Sequence, residues 1–283
     1  MSDANEHLKA WIGREETVHD SLGLTPTRLL AATLDDRRTR FEIGDALPAC
    51  WQWLYFLPGA PQSEIGPDGH PKRGGFLPPV DLPQRMFAGS ELTVHRPLRF
   101  GLAAERRGII RDVTPKAGKS GPLVFVTVDY EFSQDGRLCL TERQSIVYKD
   151  AGRPPAAAGG TGAPPPFAAS WSRRITPDLV LLFRFSALTF NSHRIHYDRP
   201  YATEIEHYPD LVVHGPLIAV CLADILRIEA GKTLSFFKFR AEAPLFVSAP
   251  FEVLGRADGE AGAELKAIGP SGVTAMSASA TFA

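Results

Sequence analysis

The chain has 283 residues, 44% of them apolar and 22% charged, which allows one large domain or two ordinary ones with a hydrophobic core. With 31 basic and 32 acidic residues the formal net charge is −1, and this balance gives no support to nucleic-acid binding. The 25 glycines and 24 prolines argue against an all-helical fold.

The N-terminal segment and the cysteines indicate a cytoplasmic protein. Residues 1–13 carry charges where a secretory signal peptide needs an apolar stretch. The longest apolar run, residues 211–226, contains histidine, proline and aspartate, so no membrane span is expected. Cys50, Cys139 and Cys221 are odd in number and lack the CxxC spacing, which predicts neither a disulfide framework nor a zinc site.

The first part of the chain begins with a predicted helix over Pro26–Leu34, which Thr25 would cap. A short apolar segment follows over Ala49–Leu57. The chain then has four runs with strand character, of which the third alternates apolar and polar residues. They are Leu92–Phe100, Gly108–Val113, Val124–Phe132 and, after the hairpin turn Ser133–Arg137, Leu138–Tyr148.

A long insertion, Gly59–Gly89, interrupts this order without any periodicity of its own. Loops of this length are usually functional or disordered. Phe76, Leu77, Met86 and Phe87 are apolar residues that a solvated loop would not need. We therefore expect this loop to take part in function.

Residues 151–169 contain five prolines, four glycines and a single charge, the composition of an exposed linker. They divide the chain into a predicted N-terminal domain, residues 1–150, and a C-terminal domain, residues 170–283.

The second part repeats the order of the first. A strand is predicted over Leu179–Phe185, and the polar loop Asn191–Asp198 follows. Pro216–Ala230 is apolar on nearly all sides and ends at Gly231, which predicts a buried helix. Four further strands are predicted over Thr233–Arg240, Phe251–Gly255, Glu264–Ile268 and Val273–Phe282. A helix followed by antiparallel strands, occurring twice, predicts a sheet wrapped around a helix in each half.

The chemistry concentrates in residues 185–216, which hold four of the eight histidines. His193 and His196 are spaced HxxH and not HExxH, so no metal site is expected there. The free N–H groups at the start of the predicted helix, at Gly215, can stabilise a negatively charged oxygen. A nearby histidine can move a proton at neutral pH. Together these groups suit the addition of water to an α,β-unsaturated thioester, or its reverse.

The segment NSHRIHYDRPYA, followed by HGP, resembles the hydratase motif of the MaoC-like (R)-specific enoyl-CoA hydratases, approximately D-x-N-P-x-H-x-D…A…HG. The first half, with WLYFLP and DGHPKRGGFLPPVDLPQRM, is similar to the degenerate first domain of the double hot-dog members of that family. The resemblance covers nearly the whole chain. It implies an α+β fold of two tandem hot-dog domains, in which antiparallel sheets each wrap around a central helix and the first domain shapes the acyl pocket.

The resemblance assigns roles residue by residue. His196 falls on the catalytic histidine of the family, and Asp198 falls on the acidic position two residues later. Gly215 falls on the glycine whose backbone amide binds the thioester oxygen, and His214 before it is assigned to substrate binding.

Three residues depart from the motif. Asn191 occupies the position of the catalytic aspartate, while His193 replaces the asparagine and Arg194 the proline. Asparagine can orient water but cannot take its proton. Either His196 is the only base and Asn191 orients the water, with His193 in support, or another residue supplies the second group. Asp198 and Glu204 are the nearest candidates in the sequence.

Arg194 suggests the acyl group, because a guanidinium can pair with a second carboxylate on the substrate. Arg194 could equally pair with Asp198 or Glu204, and Arg73 and Arg85 are rivals for the same role. The expected reaction is hydration or dehydration of a short, dicarboxylic enoyl-CoA of the 3-methylfumaryl-CoA type.

This interpretation implies a hydro-lyase without metal, flavin or nucleotide cofactor, since the CoA thioester is itself the substrate. A small acyl-CoA is the expected partner, with no nucleic acid and no membrane; a homodimer remains open. The alternatives are an itaconyl-CoA hydratase or an acyl-carrier-protein dehydratase, a hot-dog thioesterase, and a non-catalytic acyl-CoA-binding protein. The histidine-rich loop argues against the thioesterase, whereas Asn191 is the best support for the non-catalytic protein.

Overall fold

The alternating residues around Val124–Phe132 form a central strand of a ten-stranded antiparallel sheet. The computed structural model describes residues 6–118, 121–150 and 167–283. We refer to residues 6–150 as the first half and to residues 167–283 as the second half. The strands of the first half are β1 (Glu15–Asp20), β2 (Gln84–Val94), β3 (Ala104–Gly118), β4 (Gly121–Gln134) and β5 (Arg137–Lys149). Those of the second half are β6 (Trp171–Ile175), β7 (Leu234–Ala241), β8 (Phe251–Asp258), β9 (Gly262–Ile268) and β10 (Thr274–Phe282).

The described residues also form four α-helices, the longest of which packs against the strands of the second half. They are α1 (Glu6–Lys9), α2 (Leu24–Thr33), α3 (Leu179–Leu188) and α4 (Gly215–Ile228). Shorter turns of 3-10 helix occur over Trp51–Leu54, Gln62–Glu64 and Arg194–His196, and a π-helical turn occurs over Tyr201–Ile205.

The strand order is β1-β3-β4-β5-β2-β7-β10-β9-β8-β6. The two halves meet where β2 pairs with β7, from Gly89 opposite Arg240 to Thr93 opposite Phe236. A side chain at Gly89 would lie 2.5 Å from the Phe239 carbonyl oxygen, so this junction requires glycine. Outward from the junction, each half has its five strands in the same relative order. This repetition is the arrangement that the tandem hot-dog fold requires.

Helix α4 is the core of the second half, as the sequence predicted. Its residues 217–226 are all buried, and the helix packs against strands β6 to β10. Asp224 is the charged member of this run: it accepts hydrogen bonds from Trp51 Nε1 at 3.2 Å and from Arg227 Nε at 2.9 Å. These bonds satisfy one oxygen of a carboxylate that would otherwise be costly to bury, and they tie the helix to the first half.

The first half has only the four-residue turn Trp51–Leu54 at the equivalent point of the chain. Three of its residues are buried, and the side chains of Gln52 and Trp53 donate hydrogen bonds to the buried carboxylate of Glu142. The central helix expected in both halves is therefore long in the second half and reduced to one turn in the first.

Two predicted strands are wrong. Leu179–Phe185 is helical in α3, which starts where Asp178 accepts a hydrogen bond from the Leu181 backbone N–H at 2.7 Å. The apolar run was interpreted as a strand because this helix exposes apolar residues such as Phe183, so its sequence lacks a polar face. The strand expected over Leu92–Phe100 is instead β2, which starts eight residues earlier and leaves the sheet before Pro97.

Several boundaries also differ from the predictions. Helix α2 starts behind Gly23, and Thr25 lies inside it. The predicted linker, residues 151–169, lies outside the described residues except for its last three, so the proposed domain boundaries stay predictions. The three cysteines are free and buried. Among the described residues, no helix is long and apolar enough to cross a membrane.

Candidate active site

A cavity of about 800 Å³ lies where the two halves meet. The first half contributes the inner faces of β2, β4 and β5 and most of the long loop before β2. The second half contributes the end of α3 and the start of α4. The wall includes polar and aromatic side chains from both halves, among them Trp53, His70, Arg85, Tyr148 and Asn191, together with Pro216.

The long loop reaches the second half through a tight turn at residues 66–71. Gly69 has a φ of +91°, and a side chain there would lie 1.8 Å from the backbone oxygen of Ser192. The Ser192 hydroxyl donates to the Gly69 carbonyl, and the Arg194 N–H donates to the Asp68 carbonyl at 2.9 Å. The functional role expected for this loop is thus consistent with its place beside the histidine-rich segment.

His196 is buried and is not part of the cavity wall. Its Nδ1 lies 2.7 Å from the Val212 carbonyl oxygen. Because a carbonyl can only accept, Nδ1 carries the hydrogen and Nε2 keeps its lone pair. Burial, reinforced by the neighbouring His214 and His193, holds the pKa of His196 well below its usual range. The ring is therefore a neutral acceptor at neutral pH.

His214 is fully buried at the N-cap of α4, and its ring stacks on His196 with the centroids 3.6 Å apart. Its Nε2 lies 2.8 Å from the Ser186 hydroxyl, whereas its Nδ1 is buried without a protein partner among the described residues. Burial lowers the pKa of His214 to about 3. The His214 ring thus packs directly on His196, and its expected contact with substrate stays a prediction.

Asn191 lies on the cavity wall, where its Oδ1 accepts the backbone N–H of His193 at 3.0 Å. His193 is buried, and its Nε2 faces Glu206 Oε1 at 3.4 Å. Glu206 is itself buried and also accepts from the Tyr201 hydroxyl. The sequence did not indicate Glu206, because this residue lies outside the motif and farther along the chain than Asp198 and Glu204.

Arg194 does not line the cavity. Its guanidinium donates two hydrogen bonds to Asp198 Oδ2, at 2.9 and 2.7 Å, and one to the Pro67 carbonyl. Asp198 also accepts the Tyr201 N–H, while Glu204 is exposed. The structure thus shows the ion pair of Arg194 with Asp198 that was one of the roles left open for Arg194, and the catalytic support expected of Asp198 stays a prediction.

Helix α4 begins at Gly215, and Pro216 in its first turn lines the cavity. The amides of a first helical turn lack partners within the helix, and the helix dipole adds positive potential there. This end of α4 can therefore bind the oxygen of a thioester at the cavity.

The turn from the first half adds a hydrogen-bonded pair to the site. The Asp68 carboxylate faces His70 Nδ1 at 3.1 Å, and the His70 ring contacts the His193 ring with centroids 4.1 Å apart. Ligand atoms of Asp68, His70 and His193 lie within 4.8 Å of one another, a spacing that a metal ion could span. Because Asp68 and His70 already satisfy each other as acceptor and donor, we assign no metal to them. No distance in the sequence could have revealed this pair, which lies more than 120 residues before the motif.

Comparisons with known proteins agree with this geometry. A family model described as hydroxyacyl-thioester dehydratase type 2 matches residues 50–247. The mesaconyl-C(4)-CoA hydratase of Chloroflexus aurantiacus is 51% identical over 269 residues, which are 95% of each chain. The mitochondrial hydroxyacyl-thioester dehydratase type 2 of Schizosaccharomyces pombe is 26% identical over 78% of this chain and 79% of its own.

A solved structure titled MaoC-like dehydratase covers 98% of this chain and 100% of its own, with a TM-score of 0.68 and 14% identity. This likeness confirms the tandem hot-dog fold. The family model spans more than half of the chain, and the reaction class that the motif predicted, hydration or dehydration of a thioester, agrees with it. The chain is a hydro-lyase that belongs to the hydroxyacyl-thioester dehydratase type 2 family.

Proposed function

We propose that this hydro-lyase hydrates a short dicarboxylic enoyl-CoA, mesaconyl-C4-CoA (3-methylfumaryl-CoA), and catalyses the reverse reaction. The observation that carries the proposal is the cation Arg85 on the wall of the same cavity as Asn191 and the start of α4. The similarity to the Chloroflexus enzyme of that name supports the same acyl group.

The Arg85 guanidinium bonds to a tyrosine side chain of the neighbouring strand and not to a carboxylate. It lies on β2 directly opposite Tyr148 of β5, and the two side chains share a hydrogen bond. Among the described residues no carboxylate forms an ion pair with Arg85. A half-buried guanidinium without a carboxylate partner is the group expected to receive a carboxylate from a ligand.

The remaining cations of the wall are already engaged. Arg106 pairs with Glu16 at 2.9 Å, and Lys72 Nζ donates to the Ser63 carbonyl. Arg73 donates to the carbonyl oxygens of Val80 and Pro83. Arg73 therefore remains a rival with uncharged partners, whereas Arg194 already pairs with Asp198 and does not line the cavity.

The substrate has a carboxylate at one end and a thioester at the other, and the cavity offers Arg85 for the first and the N-terminus of α4 for the second. In 3-methylfumaryl-CoA the second carboxylate is attached to the β-carbon, which is the atom that receives the hydroxyl group. Binding this carboxylate to Arg85 while the thioester oxygen meets the Gly215 end of α4 would hold the double bond between the two halves. Negative charge that develops on the thioester oxygen is then stabilised by the helix N-terminus, while His196 Nε2 and Asn191 act on the water.

Loss of enoyl-thioester absorbance without release of free thiol is the expected activity, and it separates the hydro-lyase from a thioesterase. Arg85→Gln should lower kcat/KM for mesaconyl-C4-CoA by about 10²-fold, because a charge-assisted bidentate pair is lost. The same variant should change kcat/KM for crotonyl-CoA, which lacks the second carboxylate, less than threefold. Arg111→Gln, which removes an exposed guanidinium on β3, is the matched control.

Arg73→Gln decides between the two arginines. A selective loss of the dicarboxylic substrate in Arg73→Gln, with none in Arg85→Gln, would move the carboxylate site to Arg73. Equal losses for both substrates in Arg85→Gln would contradict the proposed acyl group.

A further inference from the structure

The turn at residues 66–71 carries an aspartate–histidine pair that neither the motif nor the acyl group accounts for. Asp68 accepts two hydrogen bonds from His70, from the ring Nδ1 at 3.1 Å and from the backbone N–H at 3.0 Å. A carboxylate can only accept, so the hydrogen of the neutral ring lies on Nδ1 and the lone pair lies on Nε2. The pair has the hydrogen-bond pattern of a base oriented by a carboxylate.

The surroundings of the pair keep Asp68 ionised and His70 neutral. Burial opposes ionisation of Asp68, but the hydrogen bonds that it accepts from His70 outweigh burial and hold the pKa of Asp68 well below its usual range. Burial, together with the Arg85 charge, lowers the pKa of His70 to about 3 despite the opposing effect of Asp68. At neutral pH the pair is therefore a carboxylate and a neutral imidazole.

His70 differs from the three buried histidines of the second half in its access to the cavity. It lies on the wall that also holds Asn191 and Pro216, and its side chain is 19% exposed. His193, His196 and His214 are at most 7% exposed, and none of them is part of that wall. The histidine that a substrate in the cavity meets first is thus the one from the first half.

The motif of this chain lacks the catalytic carboxylate of the family. Asn191 stands where the family pattern has its catalytic aspartate, and its Oδ1 is already occupied by the His193 N–H. Asp198 is bound by Arg194, and Glu206 faces His193 away from the cavity wall. Of the carboxylates near the motif, none combines access to the cavity with freedom from an ion pair.

We propose that His70, oriented by Asp68, is the group that transfers the proton in the hydratase site, while His196 orients the water, and that His70 takes over the part of the aspartate that is missing at position 191. His70 is then a catalytic residue contributed by the first half, and Asp68 is its positioning residue.

The step balances with these two residues and one water molecule. An O–H bond of the water breaks as its oxygen bonds to the β-carbon, and the proton moves to His70 Nε2. The electron pair of the double bond moves through the α-carbon onto the thioester oxygen, which the N-terminus of α4 stabilises. The Asp68 carboxylate stabilises the imidazolium. The same proton then leaves Nε2 for the α-carbon, which restores the thioester carbonyl and the neutral ring, while His196 Nε2 accepts the other hydrogen of the water and orients it.

Chemical rescue tests this assignment. His70→Ala should lower kcat by 10²- to 10⁴-fold, the usual contribution of a general acid–base group, with KM changed less than threefold. Added imidazole should restore at least a tenfold gain, because the vacated space opens to the cavity, and a structural role of His70 would give no such gain. His19→Ala removes an exposed histidine that faces Glu105 at 3.9 Å and is the matched control without effect.

Asp68→Asn tests the positioning residue, since it keeps an acceptor for Nδ1 but removes the charge. We expect a loss of kcat of about 10- to 100-fold, and the double variant Asp68→Asn/His70→Ala should be no slower than His70→Ala alone. If His70→Ala does not fold, His70→Gln, which keeps the volume of the side chain, is measured in its place.

Three outcomes with the His70 variants would overturn the proposal. They are a folded His70→Ala or His70→Gln that retains a third of the wild-type kcat, a loss confined to KM, and a loss in His70→Ala that imidazole does not reverse. Inhibition of the wild type by a chelator, restored by zinc, would also overturn it in favour of a metal at this pair. The proposal rests on hydration and not on the acyl group, so crotonyl-CoA serves as substrate if mesaconyl-C4-CoA is not converted. Failure to convert mesaconyl-C4-CoA would count against the proposed function and not against the role of His70.

Discussion

The two halves of the molecule differ most in the length of their central helix. In the second half the 14-residue helix α4 packs against strands β6 to β10. In the first half the four-residue turn Trp51–Leu54 stands at the same point of the chain. The equivalent face of the first half is lined by residues such as Trp53, Gln144, Ile146 and Tyr148, which form the wall of the cavity. The first half thus provides a pocket where the second half has a core helix.

Because of this difference, the two halves contribute different groups to the site. In the proposed reaction the N-terminus of the remaining helix binds the thioester oxygen, and the loop before it contributes His196 and Asn191. The half without the helix supplies space, the cation Arg85 and the Asp68–His70 pair. A hot-dog domain that loses its central helix therefore gains room for a substrate, which a second copy of the fold can act upon.

The largest effect is expected from the second half. His196→Asn should lower kcat by about 10²-fold, because the asparagine amide can keep the hydrogen bond to Val212 while the acceptor Nε2 that orients the water is lost. Asparagine is preferable to alanine here, since His196 is buried and stacked on His214 and not in an open loop. Steady-state kinetics of a variant with the wild-type melting temperature provide the measurement. Retention of a tenth of the activity would remove His196 from the mechanism.

Both halves contribute buried neutral histidines to the acid sensitivity of the fold. His70 and His214 have a pKa of about 3 in the folded state, against about 6.5 when unfolded. The unfolded chain therefore binds more protons below pH 6.5, and stability is lost as the pH falls. Between pH 7 and pH 5 the free energy of unfolding should drop by about 2 kcal/mol for each of these histidines. Urea titrations at the two pH values measure this drop.

The matched variants for this measurement are His214→Gln and His19→Gln. The first should reduce the difference between the two pH values by about 2 kcal/mol, and the second, at an exposed site, should leave it unchanged. An unchanged difference in His214→Gln would show that its ring is protonated in the folded state.

Filling the pocket of the first half tests whether it holds the acyl group. Ile146→Trp on β5 adds volume to the cavity wall and should raise KM for the acyl-CoA about 10-fold, at a cost of about 1–3 kcal/mol in stability. Val180→Trp, at an exposed position of α3, is the control for the added ring. An unchanged KM in a folded Ile146→Trp would place the acyl group elsewhere.

The smallest effect is expected at Asn191. Asn191→Asp keeps an acceptor for the His193 N–H and should leave kcat within about threefold of wild type, whereas Asn191→Ala loses that acceptor and should cost about 10-fold. Separate values of kcat and KM are needed. A large rise of KM in Asn191→Asp, with kcat unchanged, would contradict the role in orienting water and assign Asn191 to the carboxylate of the substrate.

Local patterns were sufficient for the regular parts of the fold. The alternation from Val124 to Phe132 identified β4, and the all-apolar run with Pro216 in its first turn identified α4 to within two residues at either end. The same rule failed for α3, because an apolar run that includes Val180 and Phe183 has no periodicity to separate a strand from a partly exposed helix.

The site could be predicted only where it is local. The motif located His196, Asn191 and Gly215, but Arg194 could be assigned only once its distance to Asp198 was known. The Asp68–His70 pair meets His193 through the folding of a loop more than 120 residues away. Contacts of this kind depend on the packing of the two halves, which no periodicity or spacing in the chain records.

The proposed function centres on one cavity. In this cavity the two halves of the molecule bind opposite ends of a dicarboxylic acyl group. A crystal structure with a saturated, unreactive analogue that keeps the second carboxylate, 3-methylsuccinyl-CoA, tests it most directly. We expect the carboxylate at about 3 Å from the Arg85 guanidinium and the thioester oxygen at the amide of Gly215. A carboxylate bound by Arg73 or directed to solvent, or an acyl chain that avoids the pocket of the first half, would contradict it.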